Sequence, residues 1–437
     1  MSSSQETITL TSDSKKIFYG WWVLAGCIIV ALCSSIARFG FSMFMPYILT
    51  DFGWTRAMVS GAFTLHMAVY AVSAVFVGRL VDRFGARWVM FGGSVLLLIG
   101  MFMHSRMSAQ IEIYLYYSII SGFGVAGTLV VPNVTTARKW FRKKAGMSIG
   151  LVLAGSGMGV VVAGILVPFL STSVGWRNAY VVFAVICGLA GMAASQLVRK
   201  DPESMGLKPD GIDAGEATSG ATGETPLTAV SDEAAWTVRE ALKTKVFWIL
   251  IFIYIFSLIP SLGFISNACA FGQDIAAASG VDIAVSGPMI GKVFMLMGIM
   301  IVIGEILSGY LVDRFGKKEM LIISTILICL CFLWAMSLKT MGSYLAFMMV
   351  YGFSFGLNVP AWVPLMADCF GRKSLGALYG ILTLFGGGLS GLGGVLFGGI
   401  FDATKSYDGA FWTVIAMLIL VIVGITQIRP VSKELGA

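Results

Sequence analysis

Charge is what this chain has least of. Only 12% of its 437 residues are Asp, Glu, Lys or Arg, about half the roughly 25% of an ordinary soluble domain. Cysteines are seven and lie singly, with no CxxC spacing, so neither a disulfide framework nor a thiolate metal site is indicated. The ten-residue alternation of a transmembrane β-barrel is missing too. No nucleophile–base spacing, metal cluster or cofactor loop stands out, so an enzyme is not expected, and the expected cofactors and metals are none. The glycines of Gly155-Ser-Gly157-Met-Gly159 do not make a phosphate loop, because no strand precedes them and they lie in the middle of an apolar run. Residues 1–16 are polar and lack the cleavage site of a signal peptide.

What is present is apolar length. Hydrophobic residues make up 57% of the chain, in about twelve runs, each near the roughly 20 residues that a helix needs to cross a bilayer. Gly and Met are plentiful within the runs, and small residues let helix backbones approach closely. Phe18-Tyr-Gly-Trp-Trp22 opens the first run with an aromatic belt. With the N-terminus placed in the cytoplasm, 23 of the 30 Lys and Arg fall on the inner side, 6 on the outer side and Arg38 within a span. Both termini are therefore expected in the cytoplasm. The net charge of +7 follows from that topology and suits anionic lipid, with no nucleic-acid partner needed.

One peptide occurs twice. Gly78-Arg-Leu-Val-Asp82-Arg83-Phe-Gly85-Ala-Arg87 and Gly309-Tyr-Leu-Val-Asp313-Arg314-Phe-Gly316-Lys-Lys318 share six consecutive residues, and each joins two apolar runs. A polar, Gly/Ser/Thr-rich stretch separates the copies. The chain therefore divides into a disordered tail at 1–16, a six-helix bundle at 17–198, a cytoplasmic linker at 199–244, a second six-helix bundle at 245–428 and a tail at 429–437. Trp236 to Lys243 is expected to form a short amphipathic helix on the inner surface. The repeated Asp–Arg turns either latch the inner side when the protein faces outward or merely fix topology.

The doubled turn, the six-plus-six layout and the long linker resemble the major facilitator superfamily over essentially the whole chain. Phe52-Gly-Trp-Thr-Arg-Ala57, Trp140-Phe141, Gly175-Trp-Arg177, Asp201-Pro-Glu203 and Phe370-Gly371-Arg372 further resemble its bacterial monocarboxylate and oxalate/formate branch. The resemblance implies an all-α, twelve-span, monomeric secondary transporter of the bacterial inner membrane. It would carry a small organic acid anion by alternating access, with protons or in exchange. One departure bears on this: where the branch carries a carboxylate-binding Arg, four residues before Gly309, this chain has Glu305, and the eleventh span lacks the Lys of oxalate carriers.

Ionisable residues at membrane depth are functional candidates. Arg38 shares a helical face with Ala31, Ser34, Ser35 and Ser42, which turns it inward as a partner for a carboxylate. Its alternative is an Arg that reaches the outer headgroups. Glu305 follows Gly291 and Gly298 at sevenfold spacing and is read as a proton carrier, a site for a cationic or zwitterionic solute, or a partner of Arg38. His66 is a second proton-coupling candidate or a packing histidine. Thr128, Ser156, Tyr351, Asn358 and Trp362 lie on polar or aromatic stripes that line a cavity or bind neighbouring helices. A non-transporting sensor is the remaining alternative, and no signalling domain accompanies the spans.

Overall fold

The computed structural model describes residues 18–141, 145–211, 236–281, 283–371 and 375–428; the two expected tails, the middle of the linker and the side chain of Asp313 lie outside the described residues. Twelve helices are long and apolar enough to cross a membrane. They are α1 (Gly20–Phe52), α2 (Arg56–Phe84), α3 (Ala86–Ser105), α4 (Gln110–Trp140), α5 (Met147–Val174) and α6 (Trp176–Leu197) in one half. The other half holds α7 (Lys245–Ala278), α8 (Ser286–Val312), α9 (Lys317–Ala335), α10 (Met341–Phe370), α11 (Ala377–Thr404) and α12 (Asp408–Gln427). Helix is forced here because a lipid-exposed backbone must satisfy its own polar groups. Large apolar side chains such as Val72, Phe76, Ile306 and Trp412 accordingly stand exposed on the outside of the bundle.

Within the halves, α1 packs on α5 and α6, α3 on α6, α8 on α10, and α7 on α11 and α12. Between the halves, α2 meets α11, α5 meets α8, and α1 meets α7. The repeated turns occupy equivalent places, between α2 and α3 and between α8 and α9. Each pivots on a glycine with positive φ, 82° at Gly85 and 99° at Gly316, a conformation that other residues adopt only with strain. The expected helix at 236–243 shortens to Val238–Ala241, started by a reciprocal cap between Thr237 and Glu240. Trp236 packs edge-on to Phe370 and donates its backbone N–H to the Phe370 carbonyl at 3.3 Å. This segment therefore docks on the end of α10.

Among the described residues, the seam between the halves is zipped at one end only. At the far end, away from residues 18, 199 and 428, a Cβ added to Gly291 would lie 2.3 Å from the Gly164 carbonyl, and one added to Gly398 would lie 2.7 Å from the Ala57 nitrogen. Towards the middle, Gly157 still meets Val302, and Gly388 meets Ala71. One heptad beyond three of these partners stand Gly150, Gly309 and Gly78, and a Cβ on any of them would meet nothing within 4 Å. Among the described residues, the halves are apart at the near end.

Small residues are thus required where the seam is shut and are optional where it is open. Gly291→Ala should lower stability by about 1–3 kcal/mol through overpacking, whereas Gly309→Ala should leave the melting temperature of the purified protein unchanged. Thermal unfolding of the two variants checks the contrast.

Candidate functional site

The far-end closure is polar. Arg56, at the start of α2, makes two hydrogen bonds of 2.6 Å to the carboxylate of Asp274 on α7 and one of 2.5 Å to the Tyr407 hydroxyl. Its guanidinium lies 3.7 Å from the centroid of the Phe401 ring. Asp402 of α11 accepts from the backbone N–H groups of Arg56 and Ala57 at 3.1 and 2.7 Å. A carboxylate from one half thus caps a helix N-terminus of the other, where the unpaired amides and the helix dipole favour negative charge. Deeper along the seam, Thr64 donates to the Gly391 carbonyl at 2.5 Å, Ser60 to Asn267 at 3.1 Å and Ser42 to the Ile265 carbonyl at 2.6 Å. Sequence pattern did not single out Arg56, Asp274 or Asp402, because their partners lie hundreds of residues away.

Below this closure sits a small cavity of about 100 Å³ between the halves. Its walls include Phe39, Ser156, Val160, Ile265, Phe294, Met297, Phe355 and Glu305. Ser156 shares a 2.5 Å hydrogen bond with Ser35. Glu305, one heptad beyond Gly298 on the α5–α8 seam, makes no hydrogen bond or ion pair with any described residue. Among the candidates from the sequence, Ser156 and Glu305 are brought together here.

Arg38 lies on the other side of α1. Its Nη2 contacts the Met67 sulfur at 3.1 Å, its guanidinium is 5.0 Å from the centroid of Phe39 and 5.1 Å from that of Tyr70, and its Nε is buried without a partner. Tyr70, Tyr117 and, from the opposite half, Tyr254 lie within electrostatic reach. No described carboxylate pairs with Arg38, so the suggested Arg38–Glu305 ion pair is not formed. The three serines read as sharing its helical face bond to three different helices: Ser34 to Thr128 of α4, Ser35 to Ser156 of α5 and Ser42 to α7. Arg38 therefore faces the bundle interior.

The other stripes are engaged by neighbouring helices. Thr128 is fully buried and bonds to Ser34 and to the Gly124 carbonyl at 2.7 Å. The Tyr351 hydroxyl donates to the Ser261 carbonyl at 2.9 Å amid Phe264, Phe332 and Phe347. Asn358 donates to Ser324 at 3.0 Å and accepts from the Trp362 indole at 3.0 Å. Trp362 stands edge-on behind Tyr254 at 4.9 Å. None of these four lines the cavity. His66 is wholly buried, stacks on Tyr117 at 4.4 Å and bonds through Nδ1 to the Tyr117 carbonyl at 2.9 Å.

The repeated turns stand at the near end. Asp82, Arg83 and Arg314 are exposed, and Arg87 binds Gln196 through Nε at 2.9 Å. Arg83 and Arg314 lie beside the rings of Phe84 and Phe315, and Lys317 pairs with Asp368 of its own half. No described contact joins either turn to the opposite half.

A family model described as the Major Facilitator Superfamily matches residues 27–280 and 261–435. The chain belongs to that superfamily. Among superfamily relatives, monocarboxylate transporter 12 of Rattus norvegicus is 22% identical over 408 residues, covering 90% of this chain and 82% of that protein. The uncharacterized MFS-type transporter YcxA of Bacillus subtilis is 21% identical over 420 residues, 93% of each chain. MFS-type transporter 1 of an Ophiocordyceps species is 31% identical, over a stretch of 165 residues that spans 36% of either chain. A bacterial homologue of the human lysosomal transporter Spinster, solved inward-facing and unoccupied, superposes with a TM-score of 0.66 at 17% identity, over 93% of this chain and 96% of that one. The protein is thus a multi-pass membrane transporter of the major facilitator fold.

In a superfamily transporter the Arg56 cluster should act as the far-end lock. Arg56→Ala should raise maleimide labelling of a cysteine placed at Ser60 in a background without native cysteines. The exchange Arg56→Asp with Asp274→Arg should restore protection. Unchanged labelling in Arg56→Ala would remove the cluster from the closure.

Proposed function

We propose that this transporter carries a short monocarboxylate, of the size of formate, lactate or pyruvate, by alternating access, with Arg38 as the anion's partner. The observation that carries the reading is the guanidinium of Arg38: a fixed cation inside the bundle, rimmed by Phe39, Tyr70 and Met67 and without a described counter-ion. An uncompensated buried charge is costly, and a carboxylate from solution supplies both the charge and the paired acceptors that a guanidinium fork matches. The near-end opening faces the cytoplasm on the charge distribution of the loops, so the described state is the inward-open one. The exposed Asp82, Arg83 and Arg314 are then unlatched partners for the outward-facing state, with Gly78, Gly85, Arg87, Gly309, Asp313 and Gly316 shaping the turns. Glu305 and His66 are the candidate proton carriers, and Ser156 is a polar contact for cargo. A bacterial inner membrane is the expected location.

Glu305 favours a second reading. Its unpaired carboxylate lies in a cavity walled by Phe39, Phe294 and Phe355, an arrangement that also suits a cationic or zwitterionic metabolite.

Uptake into proteoliposomes separates the two. Labelled formate, lactate and pyruvate should enter, and Arg38→Ala should reduce entry by at least about tenfold, the loss expected when a charge-assisted hydrogen bond disappears. Saturating cargo at 100 times its Kd should also stabilise the purified protein by about 2.7 kcal/mol. Entry of quaternary amines alone, abolished in Glu305→Gln, would replace the anion by a cation as cargo.

A further inference from the structure

Eight buried side-chain N and O atoms lack a hydrogen-bond partner among the described residues, and five of them lie on Arg38, His66, His104 and Tyr180, a group linked through Tyr117, whose ring is also stacked on Phe41 at 3.9 Å. They are Nε of Arg38, Nε2 of His66, both ring nitrogens of His104 and the hydroxyl of Tyr180. His66 stacks on Tyr117 at 4.4 Å, His104 meets its edge at 6.0 Å, and Tyr180 stacks on His104 at 4.4 Å. The Tyr117 hydroxyl donates to the Arg38 carbonyl at 3.1 Å. Each orphan would cost about 1–3 kcal/mol if left dry. A chain of internal waters, each offering about three hydrogen bonds, removes that cost.

This cluster spans the outer half of the N-terminal bundle. At its inner end, His66 lies within electrostatic reach of Arg38. At its outer end, His104 lies within reach of Arg177. Arg177 binds the Met107 carbonyl at 2.8 Å and Asp51 at 3.0 Å, at the exposed far-end surface. The groups facing the two histidines are thus Arg38 from α1, Tyr117 from α4, and Arg177 and Tyr180 from α6, and no described carboxylate touches either ring.

Helix α4 is built for the inner contact. Residues Tyr114–Ser121 wind as a π-helix, whose wider turn loosens the regular carbonyl pairing. The Tyr117 carbonyl within it accepts from Nδ1 of His66 at 2.9 Å. A carbonyl only accepts, so Nδ1 carries the hydrogen and Nε2 presents a lone pair.

We propose that His66 is the proton site of this transporter, fed from the far-end surface through a water-filled path formed by Tyr117, His104 and Tyr180, and that the anion on Arg38 controls its occupancy. The proposal rests on the anion reading above. A proton from the far-end solution adds to the lone pair of Nε2, giving an imidazolium, and in the state open at the near end it leaves from the same atom to the water of that opening. Next to an empty Arg38 this second cation is repelled. Once a carboxylate neutralises Arg38, the repulsion is lifted, and by linkage the proton favours the anion as much as the anion favours the proton. Anion and proton therefore bind together and leave together, and an empty carrier stays unprotonated, which suppresses leak. Glu305 is then left out of the proton cycle.

Two measurements on the full-length protein test this. Hydroxyl-radical footprinting of the purified protein should label Tyr117, His104 and Tyr180 in spite of their burial, because the radicals form on bound water; no labelling there removes the path whatever the cargo is. In proteoliposomes with a trapped pH dye and whichever of formate, lactate or pyruvate is transported, His104→Phe should keep counterflow exchange. It should lose at least about tenfold of proton-driven accumulation, in line with removal of a proton relay. Tyr180→Phe, which deletes one hydroxyl and keeps the stacked ring, should slow proton entry in the same direction and serves if His104→Phe does not fold. Proton-driven accumulation equal to the parent protein in these variants overturns the proposal. Transport of none of the three anions overturns the anion reading itself, and the footprint alone then keeps or removes the water path.

Discussion

Lipid offers no reward for bringing apolar helix faces together, since hydrocarbon chains solvate them as well as another helix does. The two halves of this protein are therefore held by close backbone approach and by polar bonds, and among the described residues both are confined to one end of the seam. Gly164 against Gly291, Gly398 against the start of α2, and the Arg56 cluster do the holding. Every other feature of the transporter depends on that economy. Apolar contact alone would not hold such a seam in lipid, so the few close approaches and polar bonds decide where it is shut.

Confining charge to the middle of such a bundle gives it meaning. Arg38 sits in the N-terminal half and Glu305 in the C-terminal half, on different sides of α1, and neither neutralises the other. The polar stripes that do neutralise themselves, such as Asn358 with Ser324 and Trp362, stiffen one half internally. What is left unsatisfied is the part of the molecule that a solute, a proton or water can act upon.

Much of this was legible in the sequence. The sixfold identity at 80–85 and 311–316, the twelve apolar runs and the inward faces of Arg38 and Glu305 follow from spacing and from the cost of charge in lipid. The partners of polar residues were not legible. Thr128 and Ser156 look alike as isolated hydroxyls on apolar helices, yet one is consumed by Ser34 and the other borders the cavity. Periodicity gives the face of a residue and is silent on what stands opposite. Arg56 reads as a loop residue until Asp274 and Asp402 arrive from the other half. His104, near the end of α3, carries no pattern that tells a packed imidazole from one without partners. The helix expected on the inner membrane surface shortened because Trp236 had a protein surface, Phe370, available to it.

The cap that Asp402 places on α2 has a consequence for the rhythm of the cycle. Parting the halves at that end strips two backbone amides and a carboxylate of their partners in a single displacement, while the Arg56 fork loses Asp274 and Tyr407 in the same movement. Bonds broken together resist until they fail together, so the lock behaves as a threshold and not as a spring. Were the halves to part there, a closure broken all at once would leave few partly open arrangements between shut and open.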